Sequence, residues 1–215
     1  MAGARQTVII TSVIYFSSNR LSYSATRSVF SPEERTAQTI KTVGSIRQNI
    51  PGAEIILLEI GRRKDISAAL TGMVDRYIFV GNNLAVKWAS SGRHKGLGEA
   101  MGLLAAAKKL KTGADFYFKV SGRYFLNENF KLASWDGDEF VARMHDAAIS
   151  TRLYGFGKKL FPDWQRALKK SLYQLYKGRS IEEVFPQMLG RELIRPVDPL
   201  GVSGFVAPQG EYLTE

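Results

Sequence analysis

The chain has 215 residues, with 30 Lys or Arg against 20 Asp or Glu and a formal charge of +10. It has no cysteine and only two histidines, His94 and His145, which excludes disulfides, thiolate chemistry, cysteine-bound zinc and a histidine-rich metal site. With 45% hydrophobic residues it can bury one full core, and its length favours a single α/β domain over residues 1–215.

In chain order, the β-branched stretch Thr7 to Tyr15 predicts a first strand. The apolar stretch Thr7 to Phe16 is too short to span a bilayer and no small-residue cleavage site follows it, so a cytoplasmic protein with room for peripheral contact at a membrane surface is expected. A polar segment from Ser17 to Ser28 carries Arg20 and Arg27. Ser31-Pro32-Glu33-Glu34 then starts a helix, with serine as cap, proline at the first position and Glu34 closing a capping box. Ala37, Ile40, Val43, Ile46 and Ile50 recur at helical spacing until Pro51-Gly52 ends the helix. Glu54 to Ile60 reads as a buried second strand ending in Glu59, giving a parallel β-α-β unit.

A short helix from Asp65 to Thr71 precedes a third strand, Arg76 to Val80, closed by Gly81-Asn82-Asn83. After a polar stretch from Ser90 to Gly96, a helix runs from Leu97 to Lys111 and ends in lysines and Gly113. Lys95 at its start could reach a phosphate, helped by the amides of Gly96 to Gly98; Glu99 could equally complement the helix dipole. His94 reads as an exposed loop residue.

The apolar run Phe116 to Val120 contains Lys119 and breaks at Ser121-Gly122, as a buried strand of an open α/β sheet would. Ligands bind at such strand ends. Lys119 and Arg123 would set two cations there, with Ser121 and two backbone amides between them, suited to an anion such as a diphosphate. Ordinary salt bridges to Asp115 or Glu128 are the alternative. Asp136-Gly137-Asp138 reads as a tight turn into a strand from Glu139 to Met144. Gly155-Phe156-Gly157 suggests a flexible or ligand-facing loop. Asp163 can cap a helix through Tyr176, Ser180 starts another in which Pro186 should cause a kink, and Leu200 to Val206 reads as a last strand.

The order of strand, helix, strand ending in an acid, and then Lys-Gly-Leu-Gly-Glu-Ala opening a helix before an apolar strand resembles a GT-A glycosyltransferase. Lys119-Val120-Ser121-Gly122-Arg123-Tyr124 is similar to a Lys-x-Ser-Gly-Arg-Tyr signature of small viral and bacterial GT-A-like proteins. Glu34-Arg35-Thr36-x-Gln38-Thr39 and Ser45-Ile46-Arg47 add to the likeness, which runs from about Thr7 to Ala207. It implies a Rossmann-like α/β domain with a mostly parallel central sheet flanked by helices.

The resemblance also implies a nucleotide-sugar donor, uridine-based among the candidates, and a glycan or lipid-linked acceptor. Thr11, Ser12 and Glu59 would bracket the nucleoside, although Glu59 could equally be a solvated strand end. Lys95, Lys119, Ser121 and Arg123 would hold the diphosphate. Members of the family usually hold Mn²⁺ or Mg²⁺ through an Asp-x-Asp element where this chain has Lys119, Ser121 and Arg123. Fixed cations can stabilise the same leaving group, so no metal is expected, with Asp136 and Asp138 as fallback ligands. The catalytic base of an inverting transfer would be Glu182, Glu183 or Asp146, with Glu183 also fitting a capping box on Ser180.

Two rivals follow from the charge and the fold. A nucleic-acid-binding module is disfavoured because the basic residues are dispersed and no nucleic-acid signature is present. A GT-A-like scaffold without turnover, binding glycans or partners, would keep the fold and lose the chemistry.

Overall fold

A computed structural model describes residues 4–215. Its elements in chain order are β1 (Gln6–Ser12), α1 (Pro32–Asn49), β2 (Glu54–Glu59), α2 (Ala68–Thr71), β3 (Arg76–Phe79), α3 (Leu84–Ser91), α4 (Lys95–Leu110), β4 (Phe116–Ser121), β5 (Tyr124–Leu126), β6 (Phe140–His145), β7 (Ala148–Gly157), α5 (Phe161–Tyr176), α6 (Ile181–Leu189), β8 (Ile194–Pro196), β9 (Val202–Phe205) and β10 (Tyr212–Thr214). The central sheet has seven strands in the order β3-β2-β1-β4-β7-β6-β8, and only β7 runs against the others. A small sheet, β10-β9-β5, is antiparallel throughout.

Side-chain alternation divides the core. Val8 and Ile10 of β1 join Val43 and Ile46 of α1 on one face, while Ile9 joins Leu103 and Ala106 of α4 on the other. Lys119 is the register partner of Ile9 and therefore belongs to the α4 face. The α1 capping box forms as the sequence predicts, with Ser31 Oγ accepting from the Glu34 amide and Glu34 accepting from the Ser31 amide. Its buried stripe, however, begins at Arg35 and Thr39, whereas Ala37 is exposed.

Several expected boundaries move. Gly155-Phe156-Gly157 is not a loop but the end of β7, paired with Phe116 to Phe118. A Cβ at Gly155 would come within 2.4 Å of the Phe116 ring, so glycine is required there by packing and not by flexibility. The stretch after Gly81-Asn82-Asn83 forms α3, capped by Asn83 Oδ1 accepting from the amides of Ala85 and Val86. Pro186 sits inside α6, which continues to Leu189. Asp163 lies in the first turn of α5, paired with Arg166, and does not cap it. The Leu200 to Val206 stretch supplies β9, in the small sheet.

Candidate functional site

The carboxyl ends of β1, β2 and β4 and the amino-terminal ends of α1 and α4 meet at one edge of the sheet, where two cavities open. The smaller, about 80 Å³, is lined by Thr11, Ser12, Arg27, Arg35, Lys95 and Gly122 among others. The larger, about 360 Å³, reaches Tyr23, His94, Thr151, Arg152, Arg179 and Glu182. Lys95, Glu99, Ser121 and Arg123 form their shared wall.

Lys119 faces neither cavity. The residue is 0% exposed, and its Nζ donates to Thr151 O at 2.7 Å and Ser121 Oγ at 3.0 Å and is ion-paired with Glu99. A buried ammonium needs its donors satisfied and its charge balanced, and here both requirements are met inside the protein. The expectation that Lys119 cradles a diphosphate is thus corrected: through Glu99 it ties the amino-terminal part of α4 to β4 and β7. Glu99 also accepts from Thr11 Oγ1 at 3.2 Å. Burial pushes the Glu99 carboxyl up, but Lys119, Lys95 and the Thr11 hydroxyl outweigh it and leave it below the usual carboxylate range.

Glu59 is likewise an internal brace. It is fully buried, accepts from Ser12 Oγ, and takes the Ile14 amide at 3.0 Å and the Gly61 amide at 2.8 Å. It is neither a solvated strand end nor part of a cavity wall, so it holds the loops after β1 and β2 together instead of touching a nucleoside. Burial nevertheless raises its pKa.

The remaining expected residues divide by position. Thr11 and Ser12 line the smaller cavity; Lys95, Ser121 and Arg123 line both, with Arg123 Nη1 donating to Phe205 O at 3.0 Å. Of the three carboxylates offered as base, Glu182 alone lines a cavity, held by Thr151 Oγ1 at 2.8 Å and by Ser180 Oγ. Ser180 caps α6 through the Glu182 amide, so Glu183 closes no capping box; it is exposed and pairs with Arg179 at 3.8 Å. Asp146 is exposed in the β6–β7 turn, at φ 51°. Asp136 and Asp138 precede β6 at the opposite end of the sheet, paired with Arg195 and Lys159, as their turn role predicts.

Arg35 is the residue that sequence reasoning passed over. Its side chain is 7% exposed and lines the smaller cavity, yet its Nε has no hydrogen-bond partner and it forms no ion pair among the described residues. The Phe16 ring, 5.1 Å from the guanidinium carbon, and the more distant charge of Glu59 support it. Burial, then the nearby Arg123, pulls its pKa down to about 9. The signal was its spacing: Arg35, Thr39 and Val43 step by four along the buried face of α1. Lys95 is held well below the usual lysine range by burial and by Arg123. Arg27 instead spends its donors on the carbonyls of Ser90, Ser91 and Gly92 at the end of α3.

No protein-family model matches the chain, and no curated protein matches it. Solved structures do. A galactosyltransferase, LgtC, in complex with donor and acceptor sugar analogues is similar over 95% of this chain and 88% of its own, at 11% identity and a TM-score of 0.50. WbbM, a bifunctional glycosyltransferase, is similar over 90% of this chain but 39% of its own length, at 10% identity and a TM-score of 0.51. The fold is of the GT-A type. A glycosyltransferase involved in glycosylating the major capsid of PBCV-1 scores lower, 0.46 at 12% identity over 91% of this chain and 82% of its own.

The GT-A metal position does not fit a divalent ion in this chain. The end of β4 offers an ammonium, a hydroxyl and a guanidinium, and among the described residues no group of three or more His, Asp or Glu side chains stands close enough to hold a metal. Hard cations need oxygen ligands, several of them charged.

Replacing Lys119 by methionine leaves the half-buried Glu99 without its cation. Urea denaturation should show a loss of about 3–5 kcal/mol.

Proposed function

We propose that this chain, acting as one domain, is a glycosyltransferase that moves a hexose or deoxyhexose from a nucleoside-diphosphate donor to a glycan or lipid-linked acceptor. Arg35 carries the most weight. A guanidinium held at 7% exposure with no protein acceptor needs an anion, and it lines a cavity at the strand ends where GT-A folds and other open α/β sheets bind ligands. Lys95 and Arg123 share that cavity. The diphosphate is thus held by Arg35, Lys95 and Arg123, a set that keeps the expected principle of fixed cations while exchanging Lys119 for Arg35. Thr11 and Ser12 stand beside the nucleoside.

In the transfer, the bond between the anomeric carbon and the diphosphate oxygen breaks as the acceptor oxygen bonds to that carbon. The leaving diphosphate gains negative charge, which the preorganised cations stabilise more strongly than they do the intact donor. In an inverting transfer the acceptor hydroxyl gives its proton to Glu182. Thr151 and Ser180 hold that carboxylate in the larger cavity, where an acceptor would approach across the wall formed by Lys95, Ser121 and Arg123.

Calorimetric titration with nucleoside diphosphates, uridine first, with and without manganese, tests the donor site. Binding is expected without metal, and Arg35→Met should weaken it about 10- to 100-fold while leaving the melting temperature equal or higher, because a buried guanidinium with no hydrogen-bonded acceptor is removed. No binding of any nucleoside diphosphate, or full affinity in that variant, rejects the assignment.

The depressed Lys95 pKa gives that binding a pH dependence. The anion favours the protonated amine, so affinity is greatest below the folded-state pKa of Lys95 and falls as pH rises through it, in a window below the ordinary lysine value. The unfolded chain holds that proton to higher pH, so stability of the free protein should rise across the same window. Lys95→Met should flatten both curves.

Glu182→Gln should lower sugar transfer, measured by release of nucleoside diphosphate in the presence of acceptor, about 10²- to 10⁴-fold with donor affinity unchanged. Donor binding without turnover in the unaltered protein would mark a non-catalytic GT-A scaffold.

A further inference from the structure

We propose that the surface formed by α3 and the second half of α5 docks the protein on an anionic lipid bilayer. Trp88 is 61% and Tyr176 54% exposed, and their rings stack with centroids 6.1 Å apart and planes inclined by 29°. Leu84 lies one turn before Trp88 and Tyr173 one turn before Tyr176, and both are more exposed still. Four large apolar side chains on one side of two helices, none covered by the fold, form a patch of the kind that marks a binding surface.

The charge on these helices selects the occupant. On α5, Trp164, Leu168, Ser171 and Leu175 face the core, while Lys169, Lys170, Tyr173, Tyr176 and Lys177 lie on the solvent side. On α3 the buried Val86 and Ala89 leave Leu84, Lys87 and Trp88 outward. There is no acidic residue in α3, and the acid of α5, Asp163, sits in its first turn and is already paired with Arg166. An ordinary solvated face mixes both signs of charge. This one joins aromatic rings to cations alone: Trp and Tyr settle at headgroup depth, and lysines reach from buried stems toward an anionic surface.

A saccharide platform fits less well. One face of each stacked ring is taken by the other, and a neutral glycan has no use for the lysines. The patch adjoins the cleft: Ser90, in the last turn of α3, lines the smaller cavity, and Gly178 and Arg179, just beyond α5, line the larger. Docking through this surface would hold the cleft beside the bilayer, whatever reaction the cleft performs.

The chain supplies its own reporter. Of its three tryptophans, Trp135 and Trp164 are buried, so a change of environment in the fluorescence belongs to Trp88. The full chain should sediment with vesicles of mixed phosphatidylglycerol and phosphatidylcholine and not with phosphatidylcholine alone, with a blue shift and with quenching by brominated acyl chains that disappears in Trp88→Phe. Lys169→Ala combined with Lys170→Ala should lower the vesicle partition coefficient roughly tenfold or more at low salt, with the melting temperature and nucleoside-diphosphate affinity unchanged. Absence of sedimentation with anionic vesicles at low salt, or binding indifferent to lipid charge and to both lysines, overturns the proposal. A Trp88 shift produced by an RNA oligonucleotide or an oligosaccharide and not by vesicles assigns the surface to that ligand instead, and equally overturns it.

Discussion

The cleft depends on one buried ion pair. Lys119, without contact with solvent, is bound to Glu99 across the seam between β4 and α4, and its remaining donors end on Ser121 and a carbonyl of β7. Removing either partner would strand a charge in a medium that solvates it poorly. The pair therefore fixes where the amino-terminal part of α4 lies over the sheet edge, and with it the position of Lys95 one turn before Glu99. Thr11 joins the same network from β1, so three adjacent strands and a helix are registered by one cluster. Glu59 does a parallel task on the other side of β1, collecting one hydroxyl and two amides.

Against these satisfied groups stand cations that the protein leaves unsatisfied. Arg27 and Arg123 are tied to carbonyls, which orient a guanidinium without neutralising it. Arg35 and Lys95 have less, and burial together with repulsion from Arg123 depresses the affinity of both for a proton. A free protein gains nothing from such an arrangement. It becomes favourable when an anion arrives, and stability is often given up at sites arranged for a ligand. Glu182 is placed differently: two hydroxyls hold it while its cavity stays open.

Much of the fold was legible in the chain because local chemistry and global packing agreed. The Ser31 capping box, the β-branched runs of β1 and β2 and the lysine-rich end of α4 each report their own structure. What was missed follows from signals with two meanings. Gly155 and Gly157 read as flexibility, yet they are the positions at which β7 can lie against Phe116 and the turn before β6. Asn83 read as the end of β3 and is also the cap of α3. The site was half legible for a related reason. A lysine in an apolar strand announces that something must neutralise it, but not whether that partner is a ligand or a helix on the same face; register decides, since Lys119 shares its face with Ile9 and meets Glu99. Arg35 was obscured because arginine is read as solvated by default, although its spacing from Thr39 and Val43 placed it on the buried stripe.

The segment between β1 and α1 crosses the cleft as a strap. Its Asn19 and Arg27 side chains and the Ser22 amide bind carbonyls between Ser90 and Arg93, and the Val29 amide binds Ala207 O on the far side. These carbonyls belong to the end of α3 and the turn into α4. The segment that walls the smaller cavity is thus also what closes the last carbonyls of the helix that carries Trp88.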